Sequence, residues 1–182
     1  GQDQVVSPAA DWIYGYEPST GKELWRLNYG SLGFSNAARP IAGGGLIYTC
    51  TGYMQSQMLA IKINGTAESQ EPEVVWRHKK QVPNVSCPIM IGDEIYFASD
   101  RGIATCLNAR TGEEHWVQRI GKRFWASPLY ADGKIFFFDT NGTTTVIEPG
   151  QKFKELSVNK LDGKMYATVA AVDGAIVLRT DK

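Results

Sequence analysis

Short apolar runs recur along the chain, and each is introduced by a glycine-containing turn. In three places a proline stands seven residues before an isoleucine of such a run, and a valine keeps the same interval in a fourth. The pairs are Pro40 and Ile47, Pro88 and Ile95, Pro128 and Ile135, and Val169 and Ile176. No segment sustains the 3.6-residue period of an amphipathic helix. The pattern therefore predicts four copies of one β-hairpin.

Each hairpin is followed by a further alternating strand and a second turn, and a large side chain closes the unit. Trp25, Trp76 and Trp116 close three units and Leu156 the fourth, with 40 residues between the last three closing positions. The second unit has six extra residues between Lys62 and Trp76, which predicts a longer turn there. Four strands per period of about 40 residues indicate propeller blades.

Two of the apolar runs have no polar face. The runs 95–98 and 135–138 read IYFA and IFFF, so both faces of these strands require cover. Blades stacked side by side supply that cover. We predict an all-β fold: a β-propeller of four-stranded antiparallel blades, present as a partial ring of about four blades.

One partial propeller domain is expected to span the whole chain. Its units are an incomplete blade at 1–33, full blades at 34–83, 84–123 and 124–163, and an incomplete blade at 164–182. An open arc leaves unpaired strand edges and apolar blade faces in water. We therefore expect self-association through the open blade faces, contact with a protein partner, or a longer parent protein.

The tryptophans and two turn glycines form a candidate docking set. Trp25, Trp76 and Trp116 are expected to dock against the following blade, where an indole buries about 150–250 Å². Gly21 and Gly112 follow a threonine in an Asp/Asn/Glu-x-x-Thr-Gly type turn and take its positive-φ position.

Composition narrows the list of partners. Lys plus Arg and Asp plus Glu both number 19, so the net charge is zero and nucleic acid is not expected as a partner. Apolar residues make up 43% of the chain and charged residues 21%, as in folded globular proteins. No apolar stretch approaches the ~18 residues of a membrane span.

The sequence predicts neither a catalytic constellation nor a metal site. Cys50, Cys87 and Cys106 form no Cys-x-x-Cys pair, and each lies in an apolar run. His78 and His115 flank the closing tryptophans, away from the inner strands, so no nucleophile–histidine–acid triad is expected.

Polar residues at the starts of the inner strands are the candidate binding residues. Arg39, Asn84, Trp125 and Ser127 stand where the central channel is expected. Arg39 would grip a carboxylate or phosphate, or pair with a neighbouring acidic residue of the chain. Trp125 would serve packing or a rim position, or the floor of a channel.

The repeat carries a family resemblance over nearly the whole chain. The segment GYEPSTGKELW at 15–25 and its echo LNARTGEEHW at 107–116 resemble the tryptophan-docking repeat of β-propellers like those that bind pyrroloquinoline quinone (PQQ). That superfamily includes quinoprotein alcohol dehydrogenases and secreted bacterial repeat proteins, and the latter group is the nearer match.

The resemblance implies two functions. The leading one is a non-catalytic scaffold or binding module in the periplasm or outside the cell, with no cofactor of its own. The alternative is part of a quinoprotein alcohol dehydrogenase whose PQQ and calcium ligands lie outside this chain. The adjacent cysteine pair that those dehydrogenases place over PQQ does not occur here.

Overall fold

The architecture is described from a computed structural model, which covers residues 3–66 and 69–182. Within those ranges there are β-strands and no helix, and therefore no helix suited to crossing a membrane. The first sheet is antiparallel, with three strands in chain order. Its strands are β1 (Val5–Pro8), β2 (Trp12–Tyr16) and β3 (Glu23–Asn28).

The second sheet contains the longest hairpin. The strands in this region are β4 (Gly33–Phe34), β5 (Ile41–Gly43), β6 (Leu46–Cys50), β7 (Tyr53–Met54), β8 (Met58–Gly65) and β9 (Gln70–His78). The sheet has the order β5-β6-β8-β9, and β4 pairs separately with β7. The β8–β9 pairing continues to Gly65 and Gln70, so the extra residues lengthen the strands rather than the turn. Two residues of that insertion, 67 and 68, lie outside the described residues.

Two further four-stranded sheets and a hairpin complete the chain. The third sheet consists of β10 (Ile89–Ile91), β11 (Glu94–Ala98), β12 (Ile103–Asn108) and β13 (Glu114–Arg119). The fourth consists of β14 (Leu129–Ala131), β15 (Lys134–Phe138), β16 (Thr143–Ile147) and β17 (Glu155–Lys160). The hairpin consists of β18 (Ala170–Val172) and β19 (Ala175–Val177). All pairings in these sheets are antiparallel and follow chain order.

The hydrophobic core is a series of layers between neighbouring sheets. In β11, Ile95 and Phe97 pack with Tyr48 of the second sheet, whereas Tyr96 and Ala98 pack with Phe137 of the fourth. Side chains alternate between the two faces of a strand, so one apolar strand supplies both layers. The prediction of stacked blades is confirmed, and the described sheets form an open arc rather than a closed ring.

Antiparallel pairing gives the arc two different ends. The first–second and third–fourth turns of each four-stranded sheet lie at one end, which we call the turn end, together with the β2–β3 turn of the first sheet. The second–third turns lie at the opposite end with the connections between sheets. This linker end comprises the turns 51–57, 99–102 and 139–142, the linkers 29–40, 79–88, 120–128 and 161–169, and residues 178–182 after β19.

Candidate functional site

A row of hydrogen bonds joins the starts of the inner strands from sheet to sheet. The backbone N–H of Arg39 donates to Cys87 Sγ at 3.2 Å, and that of Cys87 donates to Ser127 Oγ at 3.0 Å. The backbone N–H of Ser127 then donates to Thr168 Oγ1 at 3.0 Å. These four residues hold the same position in successive repeats, immediately before the proline or its replacement. We call them the inner row, and the side chains of Cys87, Ser127 and Thr168 connect neighbouring sheets.

The Arg39 guanidinium is exposed. In residues 3–66 and 69–182 it forms no ion pair and no side-chain hydrogen bond, so none of the acidic residues in these ranges is its partner. Arg39 is therefore an uncompensated cation at the edge of the inner row.

Asn84 is held by a carboxylate from the neighbouring turn. Its backbone N–H and its amide Nδ2 both donate to Asp100 Oδ2 at 2.9 Å. Asp100 follows the second strand of the third sheet, so the bond fixes the linker that enters that sheet. Asn84 thus has a structural partner in the described chain rather than a free amide.

The Asp100 arrangement is repeated twice. Asp139 Oδ2 accepts the backbone N–H of Lys122 at 2.6 Å, and Asp181 Oδ1 accepts that of Lys164 at 2.6 Å. We call these three acceptors the linker carboxylates. Sequence analysis missed them as a set, although an aspartate at about 40-residue intervals after the second strand was the available signal.

Trp125 lies at the linker end and is 40% exposed. Its ring contacts that of Tyr166, with centroids 5.3 Å apart and planes inclined by 48°. Tyr166 stands two residues before Thr168, as Trp125 stands two before Ser127, so the pair joins equivalent positions of successive sheets. The two half-exposed rings form a small aromatic shelf.

Trp76 and Trp116 each contact the third–fourth turn of the following sheet. The Trp76 indole N–H donates to the carbonyl of Ala109, and the Trp116 indole N–H to that of Gly150, both at 3.0 Å. The Trp76 ring lies directly over Gly112, where a Cβ atom would come within 2.7 Å of the indole.

Trp25 has a different partner. Its indole N–H donates to Gln4 Oε1 at 2.7 Å, and Gln4 Nε2 donates to Gln70 Oε1 of the second sheet at 2.8 Å. Gly21 has the same positive φ as Gly112, 71° against 74°, yet nothing lies within 4 Å of the place where its Cβ would be.

Burial suppresses the reactivity of Cys50, Cys106 and His78. Desolvation raises the pKa of Cys50, and it raises the pKa of Cys106 to about 12, so both thiols stay protonated at neutral pH. Desolvation lowers the pKa of His78, whose Nε2 lies 2.7 Å from the carbonyl oxygen of Lys80. These groups lack the properties of a nucleophile and base pair.

The donor set of the described residues does not fit a quinone held with calcium. No three His, Cys, Asp or Glu side chains in this part of the chain converge as a metal site. Cys50, Cys87 and Cys106 are separate free cysteines. The linker carboxylates accept backbone N–H groups, and each follows the second strand of a different sheet, so they do not form one cluster. No reaction step through PQQ follows from these residues.

Three clefts repeat at the linker end, one beside each linker carboxylate. Their volumes are about 400, 570 and 300 Å³. The first includes Lys79 and Arg101, the second Lys122, and the third Lys164 and Arg179. Each cleft therefore combines one engaged carboxylate with exposed cations.

Comparison with known proteins gives a family match and a fold match. The family model described as outer membrane protein assembly factor BamB matches residues 67–164. The crystal structure of BamB from Moraxella catarrhalis superposes with a TM-score of 0.67 and 15% identity, covering 97% of this chain and 51% of that chain. This chain thus spans about half the length of that BamB. A search of curated proteins found no match.

Two other solved structures share the fold. A europium-containing methanol dehydrogenase has a TM-score of 0.55 and 15% identity, covering 70% of this chain and 26% of that one. The computationally designed protein Ika8 has a TM-score of 0.73 and 13% identity, covering 99% and 53% of the two chains. At such identities the likeness establishes the fold, which natural enzymes and designed proteins have in common.

Proposed function

The chain belongs to the PQQ-like repeat family whose model carries the BamB description, and from this premise we propose that it is a non-catalytic propeller scaffold that binds a protein partner. The family model covers more than half of the chain. The name of that model, an assembly factor, supports a role in protein–protein contact.

The observation that carries this proposal is that side chains of the inner row form hydrogen bonds between sheets. Cys87 and Ser127 stand at inner-strand starts, where a channel ligand would require free donors or acceptors. Their side chains instead accept backbone N–H groups of the preceding sheet, at 3.2 and 3.0 Å. A protein whose polar inner residues hold blades together presents its binding chemistry on the outer surface and at the ends of the arc.

The proposal includes a cellular location and a division of the chain. We infer a periplasmic or extracellular protein, with support from the outer-membrane factor named in the family match. We divide the partial propeller into blades at 34–83, 84–123 and 124–163, and each of these ranges contains one four-stranded sheet. The short strand β4 straddles the first boundary.

The same proposal assigns a docking role to the closing tryptophans. Trp76 and Trp116 reach a backbone carbonyl of the next sheet, and Trp25 reaches the second sheet through Gln4. Gly112 leaves room for an indole, whereas Gly21 serves its own turn.

Two measurements test the function. In the first, the purified full-length parent protein that contains this chain is titrated with PQQ and Ca²⁺ while absorbance and dye-linked alcohol oxidation are followed. We expect no saturable spectral shift and no turnover, and a saturable shift with turnover would establish the dehydrogenase alternative.

In the second measurement, peptides selected from a display library are resynthesised and tested by fluorescence anisotropy. We expect peptides that bind with Kd below about 100 µM, which is more than 5 kcal/mol of binding free energy. A library that yields no binder tighter than about 1 mM would contradict the binding-module proposal.

A further inference from the structure

The two ends of the arc carry opposite charge, although the whole chain is neutral. Exposed Lys and Arg side chains concentrate at the linker end. Seven of them form no ion pair and no side-chain hydrogen bond with the rest of the described chain: Arg39, Lys79, Arg101, Lys122, Arg123, Lys164 and Arg179.

The linker carboxylates form no ion pairs with these cations. Asp139 is 2% exposed and accepts the backbone N–H groups of Lys122, Arg123 and Asn141, at 2.6, 3.4 and 2.5 Å. Asp100 and Asp181 are engaged in the same way. Hydrogen bonds from backbone donors stabilise these anions where they are, so the cation heads remain directed to solvent.

The turn end has the opposite character. Acidic side chains are more numerous than cations there, and four of the cations form ion pairs with them. These ion pairs are Glu23 with Arg26, Asp93 with Arg110, Asp132 with Lys134, and Glu148 with Lys154. Acids therefore outnumber the unpaired cations of the turn end, such as Lys62 and Lys152, whereas at the linker end the cations outnumber the acids.

An apolar feature accompanies the free cations. Trp125 and Tyr166 are 40% and 46% exposed, so the aromatic shelf that they form presents apolar ring surface to solvent, on which an aliphatic side chain can pack. Arg123 and Lys164 are their near neighbours in sequence. The clefts beside them, of about 570 and 300 Å³, have room for side-chain carboxylates.

We propose that the linker end binds an extended acidic segment of a partner protein, whose carboxylates pair with Arg123, Lys164 and the other free cations while an apolar side chain packs on the aromatic shelf of Trp125 and Tyr166. This inference rests on the proposed function and names its partner surface. One linker carboxylate stands between the cations of each sheet and those of the next. These carboxylates would repel a continuous chain of phosphates, whereas a peptide with spaced acidic residues can place its carboxylates beside the cations. The net charge of zero likewise gives no long-range attraction for nucleic acid.

The test uses a fluorescein-labelled peptide of Asp, Glu, Gly and Leu, and a matching peptide in which Lys replaces every acid. We expect the acidic peptide alone to bind, with an affinity that falls as salt is added. The double variant R123E/K164E should weaken binding at least about tenfold, since four unit charges change at exposed positions.

The double variant K62E/K152E is the matched control. Both lysines are exposed at the turn end and have no partner within the described residues, so the net charge changes equally there. We expect less than about a twofold effect, because these sites lie beyond a Debye length of about 8 Å from the linker end. W125A should remove the preference for leucine over serine in the acidic peptide.

Several results would overturn the proposal. These are equal binding of the lysine peptide, equal loss in the control variant, tighter binding of single-stranded DNA or heparin than of the acidic peptide, and a dimer in light scattering that R123E/K164E abolishes. The proposed function fails separately, when no selected peptide binds at all. Selected peptides that bind but are not acidic would refute this inference and leave the proposed function intact.

Discussion

The contact between Trp76 and Gly112 gives a sharp test of how neighbouring sheets are held together. Gly112→Ala adds one methyl group beneath the indole, where the new Cβ would lie 2.7 and 2.8 Å from two ring carbons. Gly21→Ala adds the same methyl group at the equivalent turn, where nothing lies within 4 Å. The two glycines have φ angles of 74° and 71°, so the backbone cost of alanine is shared.

The expected magnitudes follow from that matched pair. An L-residue in the left-handed region costs about 1–2 kcal/mol of folding free energy, and both variants incur it. Only Gly112→Ala also forces the rigid indole to move, and overpacking of this kind costs about 1–3 kcal/mol. The shift also threatens the 3.0 Å bond from Trp76 to the Ala109 carbonyl, worth about 1 kcal/mol.

Urea unfolding followed by far-UV circular dichroism measures the difference. We expect the midpoint for Gly112→Ala to lie clearly below that for Gly21→Ala. In a Trp76→Ala background the extra cost of Gly112→Ala should shrink to that of Gly21→Ala, because the atom it meets is gone. Equal midpoints for the two glycine variants would show that the indole does not rest on the turn.

Three further predictions concern single groups. Asp139→Asn should destabilise the fold by about 1–3 kcal/mol in urea unfolding, since a buried carboxylate that accepts three backbone N–H groups is lost. Cys87→Ala should lower stability by about 1 kcal/mol more than Cys87→Ser, because only serine keeps an acceptor for the Arg39 N–H. The folded state lowers the pKa of His78, so the unfolded state binds its proton first, and stability should fall as pH drops through the unfolded value of 6.5. His78→Gln should flatten that slope.

Each of these has a result that contradicts it. An Asp139→Asn variant as stable as the parent would mean that the carboxylate does not hold the 122–123 linker. Equal stability of the Cys87→Ser and Cys87→Ala variants would mean that the hydrogen bond from the Arg39 N–H does not stabilise the fold. If the free energy of unfolding of His78→Gln depends on pH as that of the parent does, a different titrating group causes the dependence.

The fold could be predicted from the sequence because the repeat constrains it. The apolar runs at 95–98 and 135–138 demand cover on both faces, and the structure supplies a layer on each side of these strands. The 40-residue spacing between Trp76 and Trp116 fixes the unit length. Hydrophobic periodicity is a local signal, so a single sequence is enough to read it.

The candidate site was harder to predict, because its parts come from different repeats. Asn84 and Asp100 each resemble an ordinary loop residue in the sequence, and their bond depends on how one linker meets the next turn. The pairing of Trp125 with Tyr166 likewise joins two repeats. The charge difference between the ends emerges only when strand direction is known, since acids and bases alternate along the chain.

The exceptional contact of Trp25 and the lengthened hairpin of the second sheet have one cause. Position 63 corresponds to Ala109 in the repeat, but it lies within β8 and pairs with Pro72 in the β8–β9 ladder. The compact turn that accepts an indole in later sheets is therefore replaced by extended strands. Gln4 compensates, because its amide accepts the Trp25 N–H and donates to Gln70. An insertion that displaces one docking turn thus leaves the buried indole N–H satisfied, as burial of a polar group requires.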